Sequence, residues 1–319
     1  MFFLMQFDAR GKPMKAIFQE YFRPGIVHFM AFPETMDGKT NIEHTIKKIA
    51  CDEYFEVMEI TWIDDPDTRG LVKNLCGSAK INVVFGAQPV LLRNKLNLND
   101  ENPDVRKKSI ETMKKCIDQA YDVAAEGISF LSGNYEEQHK QRAFDLLIES
   151  TEEICRYAKE KNSMMVELEI FDYDIDKKSL IGPTNLARDF AKKIRGKFDN
   201  FGLLVDLSHI PLVKESSAQA IVPVKDFITH IHIGNCFISD RNSPLYGDQH
   251  PPFGTPGSEN DVEQLAEFLQ VLLDTGFFDK KQRPIVSFEV KPLKDQDPDI
   301  VIANSKRTLN QAWLLVNEE

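Results

Sequence analysis

The chain has 319 residues, with 39 Lys and Arg against 50 Asp and Glu, and a formal charge of -11 at neutral pH. Its 42% apolar and 28% charged content is that of a globular protein, which excludes a disordered, collagenous or disulfide-stapled chain. The excess of acid disfavours nucleic acid as a partner, because neutralising phosphates requires clustered Lys and Arg.

No apolar run approaches the roughly 20 residues that span a bilayer, so we expect no membrane partner. The apolar start at 1–5 is too short for a signal peptide and is followed at once by Asp8 and Arg10. The five cysteines are widely spaced and form no Cys-x-x-Cys pair, so we expect buried, reduced thiols. Together these features predict a cytoplasmic protein.

Short apolar runs alternate with amphipathic segments along the chain. Helical patterns are clearest over 104–125 and 138–160, and the Asn-Pro-Asp and Asp-Pro-Asp sequences at 102–104 and 297–299 are typical of helix starts. The strand-like runs are 26–32, 55–63, 81–88, 128–132, 164–171, 201–207, 228–233 and 284–290.

Eight strands each followed by a helix predict an α/β fold, a single (β/α)8 TIM barrel. A doubly wound sheet is less favoured, because the chain has neither a G-x-G-x-x-G nor a G-x-x-x-x-G-K-[ST] loop. We expect one domain over 1–319, with 1–15 as an N-terminal extension. The segment 235–259, after the seventh strand, lacks any period, and a loop this long is usually functional.

Ionisable residues occupy strand positions that should face the barrel axis. Strand five alternates apolar residues with Glu167 and Glu169, and strand seven does the same with His230 and His232. By this parity Glu167 and His230 lie one step deeper, where we expect them to pair as part of the core.

Acidic residues also stand at the ends of strands six and eight, at Asp206 and Glu289. A lone buried carboxylate costs several kcal/mol unless it is paired or binds a metal. Each residue alone could be a satisfied buried polar group, but four at matching depth on consecutive strands favour one divalent ion. An oxygen-rich set with one imidazole suits Mn²⁺, Mg²⁺ or Co²⁺ better than Zn²⁺. The predicted ligands are Glu169, Asp206, His232 and Glu289.

These strand ends resemble those of a known group of enzymes. The segments Leu168-Glu169-Ile170, Val205-Asp206-Leu207-Ser208-His209, His230-Ile231-His232-Ile233-Gly234-Asn235 and Phe288-Glu289-Val290 are similar to the metal-bearing strand ends of the xylose-isomerase-like TIM-barrel superfamily. Within it the chain most resembles the sugar isomerase and epimerase branch.

The resemblance implies a mechanism as well as a fold. It implies that the four predicted ligands hold one divalent metal, with Mn²⁺ first and Mg²⁺, Co²⁺ or Zn²⁺ as alternatives. It also implies that Glu169 and Glu289 act as acid and base on a carbohydrate, while His209 orients the substrate oxygens. Removing a proton α to a carbonyl gives an unstable enediolate, which a chelating metal stabilises.

Four further residues are candidates for binding the substrate. Lys291 lies two residues beyond the strand-eight glutamate, and His250 belongs to an Asp-x-His triplet in the long loop. Trp62 follows strand two, and Arg241 lies in the same long loop. Three of these candidates also have an interpretation without a substrate. Lys291 could be a solvated lysine, His250 an ordered loop residue and Trp62 an aromatic residue of the core.

The chain departs from the ketose 3-epimerases in two places. The region after strand seven is longer than theirs, and Asp172, Asp174 and Asp176 stand where they carry a further glutamate. The long loop also resembles that of the large subunit of C-glycoside deglycosidases, lyases that act on 3-keto C-glycosides with a small partner subunit. We therefore expect either a homo-oligomer or a hetero-oligomer with such a subunit.

Two further readings stay open. Enzymes of the endonuclease IV type need extra histidines from strands two and three, where this chain has Glu59-Ile60-Thr61-Trp62 and Ala87-Gln88-Pro89. A non-catalytic metabolite-binding barrel would not need all four ligands.

Overall fold

The structure is a computed structural model that describes residues 16–317. Eight parallel strands form a closed barrel in sequential order, with β1 also pairing with β8. The strands are β1 Arg23–Val27, β2 Val57–Ile60, β3 Asn82–Gly86, β4 Gly127–Leu131, β5 Met165–Glu169, β6 Phe201–Asp206, β7 Ile228–Gly234 and β8 Ile285–Glu289. The predicted (β/α)8 barrel is confirmed. The expected N-terminal extension, 1–15, lies outside the described residues.

Helices follow the strands and cover the outside of the barrel. They are α1 His28–Ala31, α2 Ile42–Ala50, α3 Pro66–Ala79, α4 Gln88–Arg93, α5 Pro103–Asp122, α6 Lys140–Asn162, α7 Thr184–Arg195, α8 His209–Val213, α9 Ser217–Ile221, α10 Val262–Asp274 and α11 Pro298–Leu315. Short 3-10 helices lie at Phe18–Glu20, Pro33–Asp37, Glu137–His139 and Val222–Val224. Across residues 16–317, no helix combines the length and apolar character needed to cross a membrane.

The predicted start signals of two helices are confirmed. The carboxamide of Asn102 accepts a hydrogen bond from the Asp104 N–H, and α5 begins at the intervening proline. Asp297 does the same for the Asp299 N–H at the start of α11. Each cap satisfies one of the N–H groups that the first turn of a helix leaves without a partner.

The first predicted strand was wrong in its bounds. The apolar run predicts one strand over 26–32, but β1 ends at Val27 and residues His28–Ala31 form a short helix. Both parts are buried, and a short apolar run does not distinguish a buried strand from a buried helix.

The cysteine prediction holds for four of the five thiols. Cys76, Cys116, Cys155 and Cys236 are free and buried, but Cys51 is exposed. Cys51 is the C-cap residue of α2. The buried face of that helix is formed by Ile42, Thr45, Ile46 and Ile49, so Cys51 is not needed in the core.

Three strands deliver an acidic residue at the same rim of the barrel. β5, β6 and β8 end at Glu169, Asp206 and Glu289. The pairing of β6 with β7 sets Asp206 beside His232, and that of β7 with β8 sets Gly234 beside Glu289. Because the carboxyl ends of parallel strands meet at one edge, all of these side chains converge there.

A bulge interrupts the pairing of β6 with β7. The register shifts between Leu203 and Leu204, so Thr229 is an extra residue on β7. Its hydroxyl donates to Glu167 Oε1 at 2.8 Å. A Cβ at Gly202 would lie 2.0 Å from the same hydroxyl, so only glycine leaves room for it.

Candidate metal centre

The structure brings the four predicted ligands together. Each offers a ligand atom, and these atoms lie within 4.8 Å of one another. The side chains come from β5, β6, β7 and β8, and three of the four residues are 2% exposed or less. The set is Glu169, Asp206, His232 and Glu289.

Two oxygen atoms of this cluster are buried without a hydrogen-bond donor. Glu169 receives a hydrogen bond from Gln88 Nε2 to Oε2 at 2.7 Å, while its Oε1 has no partner. Asp206 receives one from the Ser208 N–H to Oδ1 at 2.7 Å, while its Oδ2 has none. Buried carboxylate oxygens without donors are costly, and a cation between them removes that cost. The residues present therefore fit a divalent metal.

His232 presents one nitrogen to this cluster and the other to a carboxylate behind it. Its Nδ1 lies 2.7 Å from Glu289 Oε2, and its Nε2 lies 2.9 Å from Glu59 Oε1. A buried carboxylate that accepts from one ring nitrogen leaves the other free to bind a metal. Glu59 was not predicted to belong to the site, although a lone acid in the apolar strand Val57–Ile60 was a signal.

The predicted pairing of Glu167 with His230 is confirmed at 3.2 Å. The other ring nitrogen of His230 lies 2.9 Å from Glu59, so Glu59 contacts both histidines of β7. Burial would raise the pKa of Glu59, but the charges of His232 and His230 hold it below its usual value. Burial would lower the pKa of His230, but Glu59 and Glu167 raise it to about 9. Glu59, Glu167 and His230 thus form a buried polar layer of the barrel that contacts His232 of the candidate cluster.

His209 begins α8 directly above the cluster. Its Nδ1 lies 2.8 Å from the Ile170 carbonyl, and its ring packs against Phe171 at 4.4 Å between centroids. Its Nε2 lies 3.1 Å from Asp248 Oδ1 and 3.8 Å from Asp206 Oδ2. The structure therefore places the predicted catalytic histidine at the edge of the ligand set.

Asp248 forms a buried junction in the loop after β7 that sequence reasoning missed as a site residue. Its carboxylate contacts His209, His250 Nε2 at 2.8 Å and Lys177 Nζ at 2.9 Å. Burial would raise its pKa, but His250, Lys177 and His209 hold it well below the usual value. The loops after β5 and β7 are joined at this point.

The three aspartates that replace the epimerase glutamate build the loop after β5. Asp172 is fully buried and accepts hydrogen bonds from the N–H groups of residues 175, 176 and 177 at 2.7–2.8 Å. Asp174 pairs with Lys214, and Asp176 pairs with Lys177 and accepts from the Asp248 N–H. Their observed contacts are therefore with the protein's own loops.

The predicted substrate-binding residues lie in different surroundings. His250 is buried beside the cluster, and its carbonyl accepts from the Lys291 N–H at 2.7 Å. Lys291 lines a cavity of about 490 Å³ with Glu34, Leu245 and Gln249, at the carboxyl-end rim of the barrel. Its ammonium forms no ion pair with any residue between 16 and 317.

Trp62 and Arg241 are held less closely. Trp62 is half-buried after β2, and its indole N–H donates to Asp64 at 2.7 Å. Arg241 is exposed in the long loop, and its side chain makes no hydrogen bond or ion pair within the described part of the chain. Neither residue has a contact with the four-residue cluster among those the structure defines.

The sequence matches the family model described as the xylose isomerase-like TIM barrel over residues 53–306. Because this match covers well over half of the chain, the protein belongs to the xylose isomerase-like TIM barrel family. No sequence among the curated proteins matches it.

Solved structures share the fold at low sequence identity. A D-tagatose 3-epimerase-like protein is 19% identical with a TM-score of 0.69, covering 92% of this chain and 98% of that one. D-psicose 3-epimerase from Clostridium cellulolyticum H10 is 15% identical with a TM-score of 0.67, covering 93% and 100%. The 3-keto-D-glucoside 4-epimerase from E. coli is 12% identical with a TM-score of 0.63, covering 91% and 99%.

Proposed function

We propose that this protein is a divalent-metal-dependent sugar isomerase or epimerase that moves a proton on a carbon next to a carbonyl. The ion is held by Glu169, Asp206, His232 and Glu289, with Mn²⁺ the preferred metal because three of the four ligands are carboxylates. The observation that carries the proposal is the pair of buried, donor-free oxygens on Glu169 and Asp206. When bound, the ion would polarise the substrate carbonyl and stabilise negative charge that develops on its oxygen.

The two glutamates are the acid and the base. β5 and β8 lie three strands apart around the closed barrel, so Glu169 and Glu289 approach the site from different sides. A carboxylate on each side can take a proton from one face of a carbon and return one to the other. Gln88 donates to Oε2 of Glu169 and so fixes the orientation of this carboxylate, with Oε1 left for the ion.

His209 and Lys291 would bind the substrate. His209 is held by the Ile170 carbonyl, Phe171 and Asp248, so its ring has a fixed position beside the ligand set. Lys291 lines the rim cavity with an ammonium that has no ion-pair partner between residues 16 and 317, so it can donate to substrate hydroxyl or carbonyl oxygens. The 3-epimerases and the 4-epimerase of similar structure carry names that support a carbohydrate as the substrate class.

A carbon–carbon lyase acting on a keto-C-glycoside is the second candidate. The cavity of about 490 Å³ beside Lys291 favours it, because a glycoside needs space for a second ring outside the ion site. The same base would remove the proton on the carbon between the keto group and the anomeric carbon. A double bond would then form in the sugar as the bond to the aglycone breaks, and the aglycone carbon would take up a proton. A small partner subunit that copurifies with the chain supports the lyase, whereas turnover of free ketoses by the chain alone supports the epimerase.

The test is Glu289→Gln, measured by exchange of the substrate's α-hydrogen with deuterated solvent. We expect no detectable exchange in this variant, with an unchanged circular dichroism spectrum. Glu263→Gln, an exposed glutamate on α10, is the matched control and should exchange at the wild-type rate. Full exchange by Glu289→Gln would falsify the two-carboxylate mechanism. Activity that survives complete removal of divalent ions would contradict the metal.

A further inference from the structure

We propose that the substrate carries an anionic group, a carboxylate or a phosphate monoester, and that Lys291 and Lys294 bind this group in the rim cavity. The cavity of about 490 Å³ lies between the segments that follow β1, β7 and β8, and both lysines belong to the last of these. The inference rests on the proposed function for the reacting carbon, and it adds the charge of the substrate.

Lys291 differs from the other half-buried lysines in the described part of the chain. Five lysines between residues 16 and 317 are half-buried, and four of them form ion pairs with carboxylates. The four paired lysines are Lys114, Lys140, Lys177 and Lys306. Lys291 forms no ion pair within this range, although burial removes part of the water around its ammonium. An anionic ligand compensates for that lost hydration.

Lys294 brings a second ammonium to the same cavity. It is exposed and, like Lys291, has no ion-pair partner among residues 16–317. Glu34 is the one acidic residue in the described lining, and its carboxylate accepts a hydrogen bond from Asn41 Nδ2 at 3.3 Å. The lining therefore has a formal charge of +1 in a chain whose total is -11. One anionic group can accept charge-assisted hydrogen bonds from both ammonium groups.

The rest of the wall is mostly apolar and stiff. Four of the lining residues are prolines, whose rings fix φ, and two are leucines. Apolar walls lower the local dielectric constant, so an ion pair formed between them is stronger than one formed in bulk water. These residues are Pro33, Pro244, Pro292, Pro298, Leu245 and Leu293.

The cavity adjoins the predicted ion site on the side of Glu289. The Glu289 side chain is 12% exposed, whereas those of the other three predicted ligands are at most 3% exposed. Lys291 lies two residues beyond Glu289, so their Cα atoms are at most about 7 Å apart. A hexose can therefore place its reacting carbon beside Glu289 and its far end against Lys291. The cavity then holds the charged end of one sugar and not a second ring.

The first experiment measures, by mass spectrometry, how fast acetic anhydride acetylates each lysine of the Mn²⁺-loaded full-length chain. D-Fructuronate and D-fructose 6-phosphate are the anionic probes, and D-fructose is the uncharged sugar of the same length. We expect one anionic sugar, at about twice its Kd, to slow the acetylation of Lys291 and Lys294 about threefold. D-Fructose should slow neither lysine to this extent. Lys281, an exposed lysine before β8 at the opposite rim, should react at the same rate throughout. The sugar that protects more strongly identifies the group as a carboxylate or a phosphate.

The second experiment follows exchange of the C3 hydrogen of the same three sugars with deuterated solvent. We expect kcat/KM for the protecting anionic sugar to exceed that for D-fructose about tenfold, because two ammonium groups bind its charge. Lys294→Met should reduce this ratio about threefold, the effect of losing one exposed ion pair. Glu34→Gln should increase the ratio, because it removes a negative charge beside the bound anion. Lys281→Met is the matched control and should keep the wild-type ratio, and circular dichroism checks that each variant is folded.

The outcomes separate this inference from the proposed function. If neither anionic sugar protects the two lysines more than D-fructose does, the inference is overturned, whatever exchange rates are found. An unchanged ratio in Lys294→Met also overturns it. Exchange of D-fructose without selective protection leaves the proposed function standing alone. Protection of both lysines without exchange of any of the three sugars supports the anion site and contradicts the proposed reaction.

Discussion

Glu59 Oε1 lies 2.9 Å from Nε2 of His232, and the contact crosses the interior of the barrel from β2 to β7. Both side chains are almost fully buried. A carboxylate at this distance can accept a proton on Nε2, which would leave the Nδ1 lone pair for the proposed ion. Glu59, three strands away around the barrel, would thus select Nδ1 of His232 as the metal-binding nitrogen.

Glu59→Gln should weaken metal binding without unfolding the barrel. The amide can still contact the ring, but it no longer stabilises the Nε2–H form by charge. We expect the Kd for Mn²⁺ to rise about 10- to 100-fold, the effect typical of such supporting residues. Isothermal titration calorimetry measures it. The control is Glu167→Gln, which contacts His230 and Thr229 but not His232. An equal loss in both variants would show that Glu59 supports the fold in general and not the ion.

Gln88→Leu should impair the reaction through Glu169. Gln88 Nε2 donates to Glu169 Oε2 at 2.7 Å, and leucine of similar size removes that donor. We expect kcat to fall at least tenfold and Mn²⁺ binding to weaken, because a hydrogen bond to a buried charge contributes about 1.5–3 kcal/mol. Gln119→Leu is the control: Gln119 is equally buried, but it bonds the Ile63 backbone. That variant should lose stability and keep its ion, and a normal kcat for Gln88→Leu would contradict its role.

The barrel could be predicted from sequence because its signal is repeated. Eight apolar runs separated by helical patterns leave few other architectures. The bounds of β1 could not be predicted, since His28–Ala31 continues the apolar run of the strand as a helix. Apolar residues suit either conformation when both are buried, and only the packing against neighbouring elements decides between them.

The convergence of Glu169, Asp206, His232 and Glu289 could be predicted because strand parity fixes where their side chains point. The supporting residues could not. Gln88 begins a helix after β3, and its approach to Glu169 depends on how β3 and β5 are placed in the barrel. Asp248 lies in an irregular loop whose path is set by contacts with Lys177 and His209, distant in sequence. The local hydrophobic periodicity of the sequence does not predict contacts between residues so far apart in the chain.

Bound metal should stabilise the fold. An ion that binds only the folded state contributes about 2.7 kcal/mol at a concentration 100 times its Kd, which for a chain of this size raises Tm by roughly 5 °C. We expect Tm to rise by this amount when Mn²⁺ is added to protein treated with EDTA, followed by differential scanning fluorimetry. Asp206→Asn should abolish the rise, because it removes a ligand with a donor-free oxygen. A rise of equal size in that variant would place the stabilising ion elsewhere.

Lys177→Met should destabilise the protein and make the long loop after β7 more susceptible to proteolysis. The Lys177 ammonium lies 2.9 Å from Asp248 Oδ2 and 3.0 Å from Asp176 Oδ2. Burial alone would lower the pKa of Lys177, but the two carboxylates raise it above its usual value.

Removing the ammonium leaves Asp248 buried with the two imidazoles alone. Breaking a buried pair costs about 3–5 kcal/mol, and because Lys177 is 20% exposed we expect a smaller loss, about 2 kcal/mol in the free energy of unfolding. Urea denaturation measures that loss, and limited proteolysis should show faster cleavage within 235–261. Lys178→Met, on the adjacent exposed residue, is the control. If both variants unfold and are cleaved like the wild type, Lys177 does not hold the two loops together.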